Sequence, residues 1–362
     1  MADIFTPWKL KNLVVPNRLV RSATWEGMAL DDGSPTLDTV NFTAELAEGG
    51  VGLIIGGYSF VTPLGRGLVR QSGLHIDAMV GPHARITDAV HKCGGLVAAQ
   101  IVHAGGQTKS AWIGGQPVGP STLIHPAFKE EVKELSKTDI AQIVEQFALA
   151  ALRAQAAGYD AVELHGAHGY LIDQFFWDGT NQRTDGYGGA SLVQRSRFAA
   201  EMLKAVRRAV GPDYPVIIRL SQWKQQDYAA RLANTPDEMQ AWLRPLADAG
   251  ADIFHCSQRR FWEPEFEGSD LNFAGWAKKL TGKPTITVGS VGLTGEFIAA
   301  FGGESSKPAS LDELLRRLDR GDFDLVAVGR ALIPDPQWVV KIRDGRHSEL
   351  MDFSPKSLGT LF

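Results

Sequence analysis

The stretch Ala-Ala-Gly-Tyr-Asp-Ala-Val-Glu-Leu-His, Ala156 to His165, contains the junction that decides the fold. A helix-like segment, Ile140 to Ala156, leads into it, and Gly158 supplies the left-handed conformation that commonly ends a helix. The apolar run Asp160 to His165 then reads as a buried strand. A strand that follows a helix after one short glycine-containing turn is typical of a parallel β/α fold.

The same alternation extends along the whole chain. Glycine also ends helix-like segments directly before Val51 and before Ala251. The predicted strands are Leu19 to Thr24, Val51 to Ile55, Leu96 to Val102, Asp160 to His165, Val216 to Leu220, Ala251 to Cys256, Thr285 to Val288 and Leu325 to Val328. Further predicted helices are Leu192 to Val210, Pro236 to Ala249 and Leu311 to Asp319. Eight alternating strands predict an α/β protein of the (β/α)8 TIM barrel class.

The connections after the strands are much longer than those before them, notably 103–138, 177–190 and 257–271. In a barrel this predicts elaborated loops on the C-terminal face, where active sites lie. The opening Trp8 to Val15 predicts an N-terminal hairpin in a position to cover the barrel bottom. No composition shift or linker divides the chain, so residues 1–362 are predicted to form a single domain. A doubly wound sheet would use fewer strands and a phosphate fingerprint after the first one, and neither is found.

Composition excludes several classes of function. With 44% hydrophobic residues the chain can bury a large core, and a net charge of -4 gives no field that would attract nucleic acid or a membrane surface. The start lacks the regions of a signal peptide and no apolar run could span a bilayer, so we expect a cytoplasmic protein. Cys93 and Cys256 form no CxxC pair, which excludes a zinc or iron-sulfur site built from cysteine.

The fourth predicted strand ends at His165, and a second histidine, His168, follows three residues later, with Tyr170 two residues beyond it. On a regular strand they would face opposite sides, but Gly166 and Gly169 permit a turn in which His165 and His168 point at one atom with Tyr170 nearby. The spacing differs from that of an HExxH zinc motif. From the residues alone, the histidines fit either donors to a substrate oxygen or loop histidines that satisfy backbone carbonyls.

Arg219 and Gln100 are polar residues within otherwise apolar strands. A buried Arg219 needs a partner, which is either an internal carboxylate such as Glu163 or a ligand with electron-rich oxygens. A buried Gln100 can both donate and accept hydrogen bonds, as the edge of a flavin ring requires. Satisfaction by the neighbouring backbone is the alternative for Gln100.

Two strand ends late in the chain carry glycine, at 287–292 and at 328–330. Loops after the seventh and eighth strands of barrels commonly bind phosphate through backbone N–H groups and an added cation. Arg330 is well placed to be that cation, the alternative being a helix-capping or surface arginine. The glycines from Gly289 to Gly295 have the pattern GxxGxxG, so a Rossmann nicotinamide site is not supported.

Together these residues resemble the old yellow enzyme family of FMN-dependent ene-reductases, also called the NADH:flavin oxidoreductase family. The blocks that carry the resemblance are NRLVRSAT (17–24), QIVHAG (100–105), ELHGAHGYL (163–171), RTDGYGG (183–189) and VGRALI (328–333). The resemblance implies noncovalent FMN, NAD(P)H as reductant, and a small electron-poor acceptor such as an enone or nitroalkene that takes a hydride from flavin N5.

The resemblance also implies a role for each site residue. Those that would contact or line the flavin ring are Gln100, Arg219, Ala23, Thr24, Trp25 and the backbone at Tyr58. Those that would hold the ribityl phosphate are Gly289, Ser290, Gly329 and Arg330. The acceptor oxygen would bind His165 and His168, and the proton would come from Tyr170.

The sequence departs from the family pattern at three places. Trp25 stands where many relatives carry a cysteine or threonine that tunes the flavin, and Gly27 stands where some carry a substrate-binding tyrosine. The segment that begins at His103 reads His-Ala-Gly-Gly-Gln and lacks the arginine common there. These departures bear on the flavin potential and on the shape of the acceptor pocket.

Three other functions stay open from the sequence. A flavin-dependent amine dehydrogenase or N-demethylase would remove hydride from its substrate with the same barrel. A metal-dependent barrel hydrolase would use His165, His168 and Glu163, and a flavin carrier would bind without turnover. Tryptophans near the C-terminal face fit either an aromatic pocket wall or the interface of a homo-oligomer, and they are Trp25, Trp112, Trp223 and Trp262.

Overall fold

Eight parallel strands close into a barrel in the computed structural model, which describes residues 3–295 and 303–360. The strands are β1 (Leu19–Arg21), β2 (Leu53–Ile55), β3 (Val97–Val102), β4 (Ala161–His168), β5 (Val216–Lys224), β6 (Ile253–Ser257), β7 (Thr285–Val288) and β8 (Leu325–Val328). Each strand pairs with its neighbours in chain order, and β8 pairs with β1 to complete the ring. The predicted (β/α)8 TIM barrel is confirmed.

Helices surround the barrel. They are α1 (Leu37–Glu48), α2 (Val80–Lys92), α3 (Lys137–Ala156), α4 (Arg197–Val210), α5 (Pro236–Asp248), α6 (Phe273–Thr281), α7 (Asp312–Arg320) and α8 (Trp338–Arg343). The helix predicted from Leu192 to Val210 is divided into a short helix, Leu192–Arg195, and α4. Ser196 lies at the division, and its hydroxyl donates to the carbonyl of Leu192 over 2.6 Å, in competition with the backbone hydrogen bonds of the helix.

The boundaries of α3 follow from local sequence. Ser136 Oγ accepts from the N–H of Asp139 over 3.1 Å, and the Asp139 carboxylate accepts from the N–H of Ser136 over 2.9 Å, so the two form a capping box. After the helix, Gly158 has a φ of 89°, which glycine adopts without a steric penalty. The helix buries Phe147 and delivers the chain directly to β4.

An apolar layer fills the barrel interior at the N-terminal ends of the strands. Its members include Val20, Leu53, Ile55, Ala98, Ala161, Ile217, Ile253, Ile286, Leu325 and Ala327. The strands Trp8–Leu10 and Leu13–Val15 form the predicted hairpin, which buries Leu13 and Val15 against this layer. Lys11 at its turn makes an ion pair with Asp252 over 2.7 Å. The hairpin therefore covers the barrel bottom.

The opposite face carries the long connections. After β3, the segment predicted as a loop contains a helix, Ser110–Ile113, and three short strands, Val118–Gly119, Leu123–Ile124 and Glu131–Glu134. A two-residue strand, Ser59–Phe60, follows β2 and pairs with β3, and a helix, Leu171–Phe176, follows β4. The remaining elements of the described residues are 3-10 turns at Pro63–Gly65, Asp77–Met79, Arg330–Leu332 and His347–Glu349, and a helix at Ser357–Thr360.

None of the helices in residues 3–295 and 303–360 combines the length and the apolar character needed to cross a membrane. The cytoplasmic location expected from the sequence stays a prediction.

Candidate active site

A polar layer lies directly above the apolar layer of the barrel interior. The carboxylate of Glu163 on β4 is fully buried, and each of its oxygens has a partner on another strand. Gln100 Nε2 donates to Glu163 Oε1 over 2.6 Å, and His255 Nδ1 donates to Glu163 Oε2 over 2.7 Å. Because the amide NH₂ of Gln100 faces Glu163, the amide oxygen is left for another partner.

Arg219 lies on β5, between the strands that carry Glu163 and His255. Burial lowers the pKa of the Arg219 guanidinium, and the Glu163 carboxylate partly offsets that effect. Burial alone would raise the pKa of Glu163, but His255 and Arg219 outweigh it, so the pKa is lowered and the carboxylate is ionised. The polar layer therefore contains a buried negative charge and a buried positive charge.

Several atoms of the polar layer have no hydrogen-bond partner among the residues that the structure describes. They are Gln100 Oε1, Arg219 Nε, His165 Nδ1 and His255 Nε2. Buried polar atoms are nearly always paired, so this set indicates a ligand that both donates and accepts hydrogen bonds. A flavin ring has an N–H and carbonyl oxygens along one edge, which match an unpaired amide oxygen and an unpaired guanidinium N–H in the same layer. The residues present fit FMN.

The end of β4 brings His165, His168 and Tyr170 together. The pairing of β4 with β5 shifts register between Gly166 and His168, and His168 has a positive φ of 64°. The ring centroid of His165 lies 5.2 Å from that of His168 and 4.8 Å from that of Tyr170. Because residues three apart on a regular strand face opposite sides, this irregularity is what lets the two imidazoles converge.

Both imidazoles are neutral at physiological pH. Burial lowers the pKa of His165 and of His168 well below the usual value, and the charge of Arg219 lowers each further. The His168 ring stacks on Trp223 with centroids 4.5 Å apart, and its Nε2 lies 2.8 Å from Ser257 Oγ. These contacts fix the orientation of a neutral ring that can donate one hydrogen bond.

A buried ion pair that the sequence did not predict holds this turn. Lys224 Nζ at the end of β5 lies 2.8 Å from Asp173 Oδ1, and both side chains are fully buried. Asp173 Oδ2 accepts from the N–H of Gly169 over 2.7 Å, and Lys224 Nζ also donates to the carbonyl of Gln222 over 2.9 Å. Burial raises the pKa of Asp173 to about 6, while Lys224 opposes that rise. The pair ties β5 to the residue between His168 and Tyr170.

The loop after β1 carries Ala23, Thr24 and Trp25. Ala23 and Thr24 are half-buried, whereas Trp25 is 40% exposed. The indole of Trp25 lies over Gly27, where an added Cβ would be 3.0 Å from the ring. The departures from the family pattern at Trp25 and at Gly27 are therefore coupled, because the absence of a side chain at Gly27 leaves room for the Trp25 indole.

Two charged residues beside this loop were also missed from the sequence. Arg21 on β1 donates through Nη1 to the carbonyl of Gly329, and its Nη2 has no hydrogen-bond partner among the described residues. The Glu26 carboxylate takes the space of a side chain at Gly57, where an added Cβ would lie 1.9 Å from Oε2. Burial raises the pKa of Glu26 to about 7, and Arg21 lowers it in part. The glycine at position 57 is the one sequence signal for this arrangement.

The ends of β7 and β8 bring Gly289, Ser290, Gly329 and Arg330 together. Gly289 has a φ of 150° and Ser290 a φ of 52°. Arg330 Nη2 lies 3.4 Å from Ser290 Oγ and donates to the carbonyl of Gly295 over 2.5 Å. No atom would meet a Cβ on Gly329 within 4 Å, so open space lies beside it. A cation, a hydroxyl and open glycine backbone are suited to a phosphate group.

The geometry does not support the metal-hydrolase alternative. Within the part of the chain that the structure describes, no three His, Cys, Asp or Glu side chains are grouped to hold a metal ion. That alternative needed Glu163 as a ligand with His165 and His168, but both oxygens of Glu163 are engaged by Gln100 and His255.

Known proteins resemble the chain over nearly its whole length. The model of the NADH:flavin oxidoreductase / NADH oxidase family matches residues 3–349. An NADH oxidase from Thermoanaerobacter brockii is 34% identical over 358 residues, which are 96% of this chain and 52% of that protein. The chain thus spans about half the length of that relative. An NADPH dehydrogenase from Clostridium acetobutylicum is 31% identical over 343 residues, which are 93% of each chain.

A solved structure has the same fold. The old yellow enzyme homologue from Zymomonas mobilis has a TM-score of 0.83 at 24% identity, over 98% of this chain and 96% of that one. The family match includes all of the residues of the site described above, from Arg21 to Arg330. The chain therefore belongs to the NADH:flavin oxidoreductase / NADH oxidase family and is an NAD(P)H-dependent flavin oxidoreductase with FMN as its cofactor.

Proposed function

We propose that residues 1–362 act as one FMN-binding domain that reduces electron-poor C=C bonds, as in enones and nitroalkenes, with electrons from NAD(P)H. The observation that carries the proposal is the convergence of two neutral buried imidazoles, His165 and His168, with the buried phenol of Tyr170. They lie next to the polar layer that fits a flavin, so an acceptor oxygen could be bound within reach of the cofactor.

The residues that would bind the cofactor form two groups. The ring would be held or lined by Gln100, Arg219, Ala23, Thr24, Trp25 and the backbone of Tyr58. The phosphate would be held by Gly289, Ser290, Gly329 and Arg330. The chemistry that FMN supplies when bound is hydride transfer from NAD(P)H to the acceptor. The fixed charge of Arg219 favours negative charge on the ring edge beside it.

His165 and His168 would bind the acceptor oxygen. Negative charge develops on that oxygen as the C=C bond is reduced, and oriented N–H donors in a water-poor site stabilise it strongly. The stacking of His168 on Trp223 and its contact with Ser257 set the ring in place before the acceptor arrives. Polarisation of the acceptor therefore requires no movement of this imidazole.

Tyr170 would donate the proton that completes the reduction. Burial raises the pKa of Tyr170, and hydrogen bonds with Tyr58 and Gln107 lower it in part. The phenol is thus protonated at neutral pH and is available as a general acid next to the bound acceptor.

Measuring the two half-reactions by stopped flow tests these roles. Tyr170→Phe removes one hydroxyl, so reduction by NAD(P)H should keep its wild-type rate while reoxidation by an enone slows roughly 10²- to 10⁴-fold. The rate of reoxidation by a nitroalkene should fall less, because the nitronate product is stable enough to leave the site and be protonated in water. Alanine at His165 and His168 should weaken the binding of both acceptor types. Reoxidation of Tyr170→Phe by enones at the wild-type rate would contradict the assignment of Tyr170, and anaerobic reduction of the flavin by an amine would favour the amine dehydrogenase alternative.

A further inference from the structure

The side chain of Tyr58 lies in the acceptor site. Tyr58 follows β2, and the family resemblance assigned only its backbone. Its ring is buried in a small cluster with Val102, Ala104 and Tyr170. The ring centroid lies 5.5 Å from that of Tyr170 and 6.0 Å from that of His165. A second buried phenol therefore borders the proposed proton donor and one of the oxygen-binding histidines.

The hydroxyls of Tyr58 and Tyr170 face each other. Their oxygens are 3.3 Å apart, longer than most O–H···O hydrogen bonds. Hydrogen bonds between catalytic groups commonly tighten when substrate binds. Each hydroxyl can donate or accept because its hydrogen rotates about the C–O bond. Tyr170 donates to Tyr58 in the arrangement observed, and the direction can reverse once Tyr170 has lost its proton.

We propose that Tyr58 is a positioning residue that makes Tyr170 a stronger acid by donating a hydrogen bond to the Tyr170 oxygen as that oxygen loses its proton. The inference rests on the proposed function, since it needs Tyr170 to be the proton donor. In that step the O–H bond of Tyr170 breaks and a C–H bond forms at the α-carbon of the acceptor. The electron pair of the O–H bond stays on the phenolate, which water reprotonates afterwards.

The surroundings of the two phenols set which one gives up its proton. Burial raises the pKa of Tyr58 well above its ordinary value, and Tyr170 raises it further, so Tyr58 keeps its proton. For Tyr170, burial also raises the pKa, but Tyr58, Gln107 and the charge of Arg219 each lower it. The charged groups that act on the pair are Arg219, which favours the Tyr170 phenolate, and Glu26, which disfavours the Tyr58 phenolate.

Tyr58→Phe tests the proposal, because it removes the hydroxyl and keeps the ring packing. Loss of one hydrogen bond to the developing phenolate should slow reoxidation of the flavin by an enone about two- to tenfold. Reduction by NAD(P)H should be unchanged. In a Tyr170→Phe background the same substitution should cause no further slowing, since its effect passes through the Tyr170 oxygen. A loss that adds fully to that of Tyr170→Phe would overturn the proposal, as would a wild-type rate in Tyr58→Phe.

A second readout does not depend on turnover. The chain has six tyrosines, so isotope-labelled tyrosine can be followed by NMR in the holoenzyme and the Tyr170 signal assigned with Tyr170→Phe. The pKa of Tyr170 should rise in Tyr58→Phe, and the alkaline limb of the reoxidation rate should move to higher pH with it. An unchanged pKa of Tyr170 would contradict the proposal.

Tyr214→Phe is the matched control. The Tyr214 hydroxyl also makes a buried hydrogen bond, to the carbonyl of Tyr159 over 2.8 Å, at the opposite end of the barrel. Its loss should leave both half-reactions and the pKa of Tyr170 unchanged.

The same measurements distinguish failure of the proposed function from failure of the role proposed for Tyr58. If the proposed function is wrong, Tyr170→Phe reoxidises at the wild-type rate. If only the role of Tyr58 is wrong, Tyr170→Phe stays slow and Tyr58→Phe reoxidises at the wild-type rate.

Discussion

The two ends of the barrel interior are built from the same strands and differ in almost every other respect. At the N-terminal end the interior is apolar, and the hairpin buries Leu13 and Val15 against it. At the C-terminal end it contains Glu163 and Arg219, and polar atoms there have no partner within the described chain. The first end is completed by packing within the chain, whereas the second has the donors and acceptors that a ligand completes.

Strand β5 shows how small a step separates the two ends. Ile217 belongs to the apolar layer, and Arg219, two positions further along, faces the same interior from the polar layer. Alternate residues of a strand point to the same side, so a change of two positions exchanges a packing role for a binding role. Stability and cofactor binding should therefore respond separately to substitutions at these neighbouring levels.

The largest effect is expected from Lys224→Met at the polar end. It leaves the carboxylate of Asp173 fully buried without its cation, and breaking such a pair typically lowers the free energy of unfolding by about 3 to 5 kcal/mol. Urea unfolding of the FMN-saturated protein measures this. The double variant Asp173→Asn/Lys224→Met removes both charges and should recover most of the loss. Equal destabilisation of the single and double variants would show that packing rather than charge determines the effect.

At the apolar end, Ile217→Ala should lower the free energy of unfolding by about 2 to 5 kcal/mol, because it leaves a cavity in a fully packed layer. The affinity of the folded protein for FMN should stay at its wild-type value. Fluorescence titration with FMN below the unfolding transition measures this. A weakened FMN affinity would show that the two layers are coupled.

Arg219→Met should produce the opposite pattern. FMN affinity should fall ten- to a hundredfold, which corresponds to about 1.5 to 3 kcal/mol for a charge-assisted hydrogen bond. The stability of the FMN-free protein should fall by less than in Lys224→Met, because the buried Glu163 carboxylate keeps its hydrogen bonds with Gln100 and His255. The same titration and unfolding measurements apply, and an unchanged FMN affinity would place the ring edge away from Arg219.

The smallest effect concerns pH and Glu26. Its folded-state pKa of about 7 lies above the ordinary 4.5, so the folded protein binds this proton more tightly than the unfolded chain does. That contribution to stability is present at low pH and is lost as pH rises towards 7. Between about pH 5 and pH 8 the stability of Glu26→Gln relative to wild type should rise by on the order of 1 to 3 kcal/mol. Unfolding of FMN-free protein at both pH values measures this, and a constant difference would mean that Glu26 does not titrate in this range.

Much of the fold follows from the sequence because its signals are local. The helix before Gly158, the apolar run that follows, and their repetition define the barrel, and β7 and β8 match their predicted boundaries, Thr285–Val288 and Leu325–Val328. The sequence predicted helix boundaries and short strands less well where the local pattern is interrupted or weak. Ser196 divides a predicted helix, and the third connection folds into short strands that lack a clear alternation.

For the site, the sequence by itself placed His165, Gly289 and Arg330 at the C-terminal ends of strands and Arg219 within a strand. That inference holds because parallel strands of a barrel all present their C-terminal ends on one face, whatever their neighbours. Polar residues within apolar runs then mark the side of each strand that faces the interior.

Only the tertiary structure decided which of these residues meet. Glu163 takes one partner from β3 and another from β6, Lys224 finds Asp173 on a different element, and Glu26 fills the place of a side chain at Gly57. The ring of Tyr58 reaches Tyr170 in the same way. These contacts join residues far apart along the chain, and they depend on strand register and on the bulge before His168. The hydrophobic pattern of one segment does not predict such contacts, because it reflects the periodicity of that segment and not its distance from other segments.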